Sequence, residues 1–417
     1  MSLSSSSSSF PTNESVQRHL LSFQHAVDDS ISASLSRHNR NDSSFRQPRV
    51  LYIDPHFYTT IENNNHDAGD AEESSSSSKH EIQITKRTRA AKKHLENSRQ
   101  YRKWQRDPLR EGDCKPMKPW QETSFPSCNK MHEMEIQSQF QVLTNGGYNT
   151  VYKFSDMDGS TRIAKILKYA RDYTDRNLDR VRRDSLIMER ATASDFVLDT
   201  YSYCGFSQLI EYGEGGDLNY WIMAVYERLS QKQKLQIATQ ISQALADVHN
   251  LDGNNISSMT HGDLASKQFI LVDGKFKLSD FNRGRFLRWD EKTNEPCPYT
   301  IGSNDGKFRS PEEYDYIPQT SAIDVWALGS VLVQLVTGEE AWDGYENEVA
   351  QSAIVAGKLP PFREKIKYPS DPINQVLVKA IGMCYVYEPK DRPKAGAVVE
   401  YLKNEVTRLG FEWNRID

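Results

Sequence analysis

The segment MTHGDLASKQFILVDGKFKLSDFNRG, Met259 to Gly284, constrains the fold more than any other stretch. Two short apolar runs, Phe269 to Val272 and Phe276 to Leu278, flank Asp273-Gly274, a pair that reads as the tight turn of a β-hairpin. Asp263 precedes the first run and Asp280 follows the second. Closing the hairpin brings both carboxylates to the same end of the strand pair. Either aspartate alone suits a turn or a cap. Their joint spacing suits a site in which one acts as base toward a hydroxyl while the other, with Gln268, binds a hard cation through oxygen.

The surroundings divide into two textures. From Phe140, β-like runs (Phe140 to Leu143, Thr150 to Phe154, Arg162 to Leu167, Phe196 to Tyr203, Ser207 to Tyr212, Asn219 to Tyr226) surround one helical stretch, Leu178 to Thr192. After Glu227 the pattern is helical: Ile237, Ile241, Leu245 and Val248 recur at helical spacing, and Ala322 to Val336 is a second apolar helix. A β-rich part followed by an α-rich part predicts two lobes with a site at their junction. In the first part, Gly146 and Gly147 tip a turn between strands, where a missing Cβ lets backbone N–H groups approach a phosphate. An ordinary hairpin turn fits the same residues. Lys165 sits in the apolar strand RIAKIL, and Asp184, on the helix, is a plausible counter-ion; a surface lysine on an edge strand fits equally.

Composition bounds the rest. With Lys+Arg 52 against Asp+Glu 57 the net charge is −5, which argues against nucleic acid as the main partner. No apolar run approaches the ~20 residues of a membrane-spanning helix, so no transmembrane segment is expected. The start, MSLSSSSSSF, does not read as a secretory signal. Five scattered cysteines (Cys114, Cys128, Cys204, Cys297, Cys384) without ligand spacing predict a reduced, intracellular and cytoplasmic compartment, with neither a disulfide framework nor a zinc site. A Ser-rich tail over 1–80 is expected to be disordered and 81–135 to be a basic linker. Its run Lys86 to Arg110 reads either as a nuclear or phosphate-binding patch or as a solvated helix.

Residues 136–410 resemble a eukaryotic-type protein kinase domain, with features of the tyrosine-kinase and tyrosine-kinase-like branch. HGDLASKQ stands for the catalytic loop, DFN for the magnesium-binding DFG, RSPEE (Arg309 to Glu313) for APE, and IDVWALG and PKDRP for later motifs of the family. The resemblance implies an α+β bilobal kinase-like fold: a small β-rich N-lobe (136–226), a larger α-helical C-lobe (227–410), and a disordered region before them. It implies ATP with Mg²⁺ or Mn²⁺, a protein substrate with a hydroxyl acceptor, and a monomer.

By the same resemblance Asp263 is the catalytic base, and Lys165 holds the α/β-phosphates against Asp184. Asp280 and Gln268 hold the metal, and Gly146, Gly147 and Val151 cover the nucleotide. Lys267, four residues after Asp263, stands where some tyrosine-kinase-like members carry a catalytic-loop cation. Asp324 braces the catalytic loop, and Arg392 pairs with Glu312. The runs SQLIEYG and LNYWIMAVYE are expected as a hairpin turning at Gly215-Gly216, which puts the hinge at Tyr226 and Glu227 with Val225 near the gatekeeper; LIEYGEGGDL is the second choice.

Departures accompany the match. Thr144 and Asn149 replace glycines, Asp184 replaces a glutamate, Gln268 replaces an asparagine and Asn282 replaces the glycine of DFG. Gly262 replaces the arginine of HRD, which in the family meets a phosphorylated activation loop. Phosphorylation at Thr293, Tyr299, Thr300 or Ser303 is therefore expected to be dispensable. Three functions fit: a protein kinase acting on Ser/Thr or Tyr, a pseudokinase serving as scaffold or allosteric partner, and a small-molecule phosphotransferase. The aligned motifs favour the first.

Overall fold

The computed structural model describes residues 114–416 apart from 135–139, 172, 298 and 303. The Ser-rich tail, the run Lys86 to Arg110 and Ser303 lie outside the described residues.

The chain enters through β1 (Cys114–Pro116) and two single-turn helices, α1 (Trp120–Thr123) and α2 (Asn129–His132). Next come β2 (Gln141–Asn145), β3 (Asn149–Ser155), β4 (Thr161–Leu167), α3 (Asp175–Arg190), β5 (Thr200–Cys204) and β6 (Ser207–Glu211). The five strands form one antiparallel sheet in the order β2-β3-β4-β6-β5. Apolar Ile163, Ala164, Ile166 and Leu167 are buried on β4, which leaves Lys165 as the polar residue of a largely covered strand. Thr174 caps α3 by accepting from the Asn177 N–H at 3.3 Å, and Val181, Asp184, Leu186, Ile187 and Met188 are buried on that helix.

The expected second strand, Asn219 to Tyr226, is a helix instead: α4 (Leu218–Val225), followed by a single 3₁₀ turn at Tyr226–Arg228. Asp217 caps it, accepting from the Tyr220 N–H at 2.8 Å, and Leu218 and Ile222, one turn apart, are both buried while Tyr220 and Met223 face solvent. The run therefore obeys a 3.6-residue period, and its aromatic and branched content had suggested a strand.

The connection between sheet and helices is thus Tyr212 to Gly216, the second-choice placement. It lies against the hairpin strand β8 (Phe269–Val272), with Gly215 N–H donating to Leu271 O at 3.1 Å and Leu271 N–H donating to Gly216 O at 2.8 Å. A Cβ at Gly213 would fall 2.9 Å from Leu271 O, so glycine is what permits this approach.

Beyond it come α5 (Gln231–His249), β7 (Met259–Thr260), β8, β9 (Lys275–Leu278), β10 (Arg285–Phe286), β11 (Arg288–Asp290), β12 (Glu295–Pro296), α6 (Pro311–Tyr314) and α7 (Ala322–Thr337). Helices at Asn347–Val355, Pro372–Cys384 and Ala395–Arg408 complete this part. Ser230 and Gln233 form a capping box at the start of α5, whose Ile237, Ile241, Leu245 and Val248 are buried at the expected spacing. The hairpin β8–β9 pairs Phe269 with Leu278 and Val272 with Lys275, and both of its turn residues have positive φ, 47° at Asp273 and 75° at Gly274.

Two findings correct the reading of the N-terminal approach. Part of the presumed linker, 114–134, is structured: β1 pairs antiparallel with β11, and Trp120 and Gln121 are buried. Cys114 is bonded to Cys297 and Cys128 to Cys204, against the expectation of no disulfides. The partners are separated by 183 and 76 residues, so no local spacing announces them. With both sulfurs bonded, the cluster of Cys128, His132 and Cys204 has no thiolate to offer a metal. The argument from cysteines to a reduced compartment falls with these bonds. Among the described residues no helix is long and apolar enough to cross a membrane.

Candidate active site

Three charged side chains from three elements meet where sheet and hairpin face each other. Lys165 Nζ on β4 lies 3.2 Å from Asp184 Oδ2 on α3 and 3.4 Å from Asp280 Oδ1, just after β9. Burial opposes the lysine's charge, but the two carboxylates outweigh it and raise its pKa, so it remains an ammonium at neutral pH. Burial likewise disfavours ionised Asp280, yet Lys165, His261 and a 2.5 Å hydrogen bond from Asn282 Nδ2 hold its pKa below the ordinary range. Asp184 moves the other way: burial and the like charge of Asp280 push it up, although Lys165 and the Phe281 N–H, 2.7 Å from Oδ1, favour the carboxylate. Asp280 itself has φ 63°, a left-handed conformation held by these contacts.

Asp263 stands on the loop after β7, which is pinned from below. Asp324, buried on α7, accepts the His261 N–H at 2.7 Å and the Gly262 N–H at 2.8 Å, and its Oδ2 meets His249 Nε2 at 2.9 Å. The His261 ring fixes the loop further, with Nδ1 accepting the Asp263 N–H at 3.2 Å and Nε2 meeting Ser279 O at 3.1 Å. The Asp263 carboxylate receives Arg309 Nη2 on Oδ1 at 2.7 Å, with Arg283 Nε 3.8 Å from the same oxygen. Gln268 is buried, and its amide Nε2 donates to the Asp263 carbonyl at 3.4 Å.

The other expected residues are distributed as follows. Val151 pairs in register with Lys165 across β3 and β4. Gly146 and Gly147 are exposed at the β2–β3 turn, where Arg171 donates to Gly147 O from Nε at 3.1 Å and from Nη2 at 2.7 Å. Asn149 Oδ1 is buried without a protein partner. Lys267 is exposed and lines a cavity of about 320 Å³ with Ala265, Ser266, Lys307 and Phe308, between the loop that carries Asp263 and the segment leading into α6.

Tyr226 and Glu227, expected at the nucleotide, are elsewhere. The Tyr226 hydroxyl donates to Val336 O at 2.5 Å, Lys234 Nζ stacks 3.7 Å from its ring centroid, and Glu227 pairs with Lys367. Both belong to the helical part because α4 intervenes before them, and Val225 is the last residue of that helix.

Residues 138–402 match the family model of the protein kinase domain. The chain belongs to the protein kinase domain family. Mouse (Mus musculus) serine/threonine-protein kinase Nek1 is 26% identical over 276 residues, covering 64% of this chain and 21% of the relative. Phytosulfokine receptor 2 of Arabidopsis thaliana is 30% identical over 288 residues, covering 64% of this chain and 26% of the relative. Human (Homo sapiens) serine/threonine-protein kinase Nek2 is 28% identical over 207 residues, covering 47% and 41%. The chain therefore spans less than half the length of each of these relatives.

In this kinase domain the buried pair Arg392–Glu312 is bidentate, at 2.7 and 3.2 Å, and anchors α6 to the later helices. Two features escaped the sequence reading. The connection Tyr212 to Gly216 ranks second by sequence because the composition of α4 suits a strand. Arg309 stands in the sequence as the first residue of the motif beginning α6, where a cation four residues before Glu313 is a signal for an ion pair.

Proposed function

We propose that this kinase domain transfers the γ-phosphoryl group of ATP to a protein hydroxyl, with serine or threonine favoured. The observation that carries this reading is Lys165 held between Asp184 and Asp280, with the Asp263 carboxylate on a braced loop nearby. An ammonium fixed by two carboxylates is pre-positioned to meet phosphate oxygens, and phosphoryl transfer depends mainly on such positioning and charge neutralisation. Asp263 orients the acceptor hydroxyl and takes its proton as the hydroxyl oxygen bonds to phosphorus and the bond to the ADP oxygen breaks. The oxygens of Asp280 and Gln268 fit a hard divalent cation, and would hold Mg²⁺ or Mn²⁺, which supplies charge neutralisation on the phosphates. Lys267, on the cavity beside the catalytic loop, lies where an acceptor segment has room to approach. Similarity to the serine/threonine-protein kinases Nek1 and Nek2 supports serine or threonine over tyrosine.

The test uses the full chain with Mg²⁺ or Mn²⁺ and γ-labelled ATP, a mixed peptide library, and Asp263→Asn and Lys165→Met beside the wild type. Transfer that disappears in both variants supports the proposal, and the labelled residue type reports the hydroxyl. A folded, nucleotide-binding wild type without transfer would overturn it in favour of a scaffold.

A further inference from the structure

Arg309 makes more contacts to the site than its place in the sequence suggests. Its side chain is 6% exposed, and its guanidinium joins two segments. On the catalytic loop it donates from Nη2 to Asp263 Oδ1 at 2.7 Å and from Nη1 to Gly262 O at 3.1 Å. Toward its own segment it donates from Nε to Asp305 O at 3.0 Å and from Nη1 to Glu313 Oε1 at 3.3 Å. Gly262 stands at φ +70°, and a Cβ there would lie 2.9 Å from Ile301 Cδ1 and 3.3 Å from Arg283 O. The position next to Asp263 thus strains any side chain of its own through its left-handed backbone and tight contacts, and the cation bonded to Asp263 arrives from the segment before α6.

We propose that Arg309 is the positioning residue for the Asp263 carboxylate, coupling the order of the segment 305–313 directly to the orientation of the base without a phosphate as intermediary. A planar guanidinium suits this role because its donors diverge in one plane, so one side chain reaches a carbonyl and a carboxylate on the loop while holding Asp305 and Glu313 on the other side. Both cations near Asp263 approach Oδ1. Tethering that oxygen turns Oδ2 toward the acceptor hydroxyl. Two of the four candidate phosphorylation positions agree with a latch that needs no modification: the Tyr299 hydroxyl is already bonded to Thr260 Oγ1 at 2.8 Å and Thr320 O at 3.2 Å, and Thr300 Oγ1 is buried.

The inference rests on the transferase reading, so its test has one arm that needs catalysis and one that does not. Removing Arg309 alone would leave Glu313 buried without its cation. The comparison is therefore between wild type, Arg309→Lys, and the double variant Arg309→Gln/Glu313→Gln, which keeps the capping geometry at Ser310. With Mg²⁺-ATP and a peptide acceptor, the double variant should lose about 10- to 100-fold in kcat while KM for ATP stays within about 2-fold, and Arg309→Lys should recover part of the loss. Hydrogen exchange on the same proteins should show faster exchange across both 261–268 and 304–310 in the double variant. An active wild type whose double variant keeps kcat and exchange overturns the latch alone. An inactive wild type whose double variant loosens both loops upholds the coupling and overturns the transferase reading. An inactive wild type with unchanged exchange overturns both.

Discussion

Arg182, on α3, donates from Nη2 to the main-chain oxygen of Gln121 at 2.9 Å and from Nη1 to that of Ser124 at 3.0 Å. The same Gln121 sends its side-chain amide to Ser258 O at 2.9 Å and Leu287 O at 3.2 Å, and the neighbouring Trp120 packs edge-on against Phe286 with ring centroids 5.1 Å apart. The stretch 114–134 is therefore a strap joining the helix that carries Asp184 to the segment that follows Asp280. It lies wholly before the region matched by the family, 138–402, and it is fastened at one end by Cys114–Cys297 and near the other by Cys128–Cys204.

Releasing the strap should be costly. The pair Cys114→Ser/Cys297→Ser is expected to lose about 2–5 kcal/mol of stability, because the bond closes a long loop in the unfolded chain. Denaturant titration with and without a dithiol reductant measures it: reductant should lower the wild type by more than it lowers the variant, which keeps Cys128–Cys204. A wild type indifferent to reductant would show that the bonds contribute nothing.

Restoring the arginine at position 262 should harm rather than help. Gly262 has φ +70°, where a side chain costs about 1–2 kcal/mol, and its Cβ would also press on Ile301. Gly262→Arg is expected to be less stable than wild type by at least that amount, with no gain in transfer rate. Thermal unfolding beside Gly262→Ala measures the backbone part separately, and an arginine variant as stable as wild type contradicts the account.

A pH effect should arise at Lys234. Burial, then the charge of Lys367, lowers its pKa from an ordinary 10.5 to about 8. Between those values the unfolded chain binds more protons than the folded one, so this group's contribution to stability rises with pH through that window. Lys234→Met should therefore exceed the wild type by roughly 1 kcal/mol near pH 7, solvent screening having reduced the effect, and the gap should close as pH approaches about 10. Melting curves of the two proteins at pH 7 and pH 9.5 measure it; a gap that stays constant removes Lys234 as its source.

Much of the site was legible along the chain because its parts are local. The strands on either side of Asp273-Gly274 fix the span between Asp263 and Asp280, and a turn with two positive φ values is what those residue types favour. The buried positions Ile237, Ile241, Leu245 and Val248 of α5 follow from apolar residues repeating at the helical period, and the burial of α7 follows from its apolar composition. Lys165 with Asp184 was readable as a cation needing a counter-ion, since a lysine in an apolar strand must place its charge.

What depended on tertiary structure involves partners that sequence distance hides or local preferences that compete. The run Leu218–Val225 suits strand and helix alike by composition, and the Asp217 cap together with the surface available to Leu218 and Ile222 decided for helix, moving the connection between lobes to Tyr212–Gly216. Cys114 meets Cys297, and Arg309 meets Asp263, only after chain segments 183 and 46 residues apart have packed together. Sequence alone determined which charges this kinase domain carries and the order in which they occur; the packing of the strap and of the segment before α6 determined which of those charges face one another.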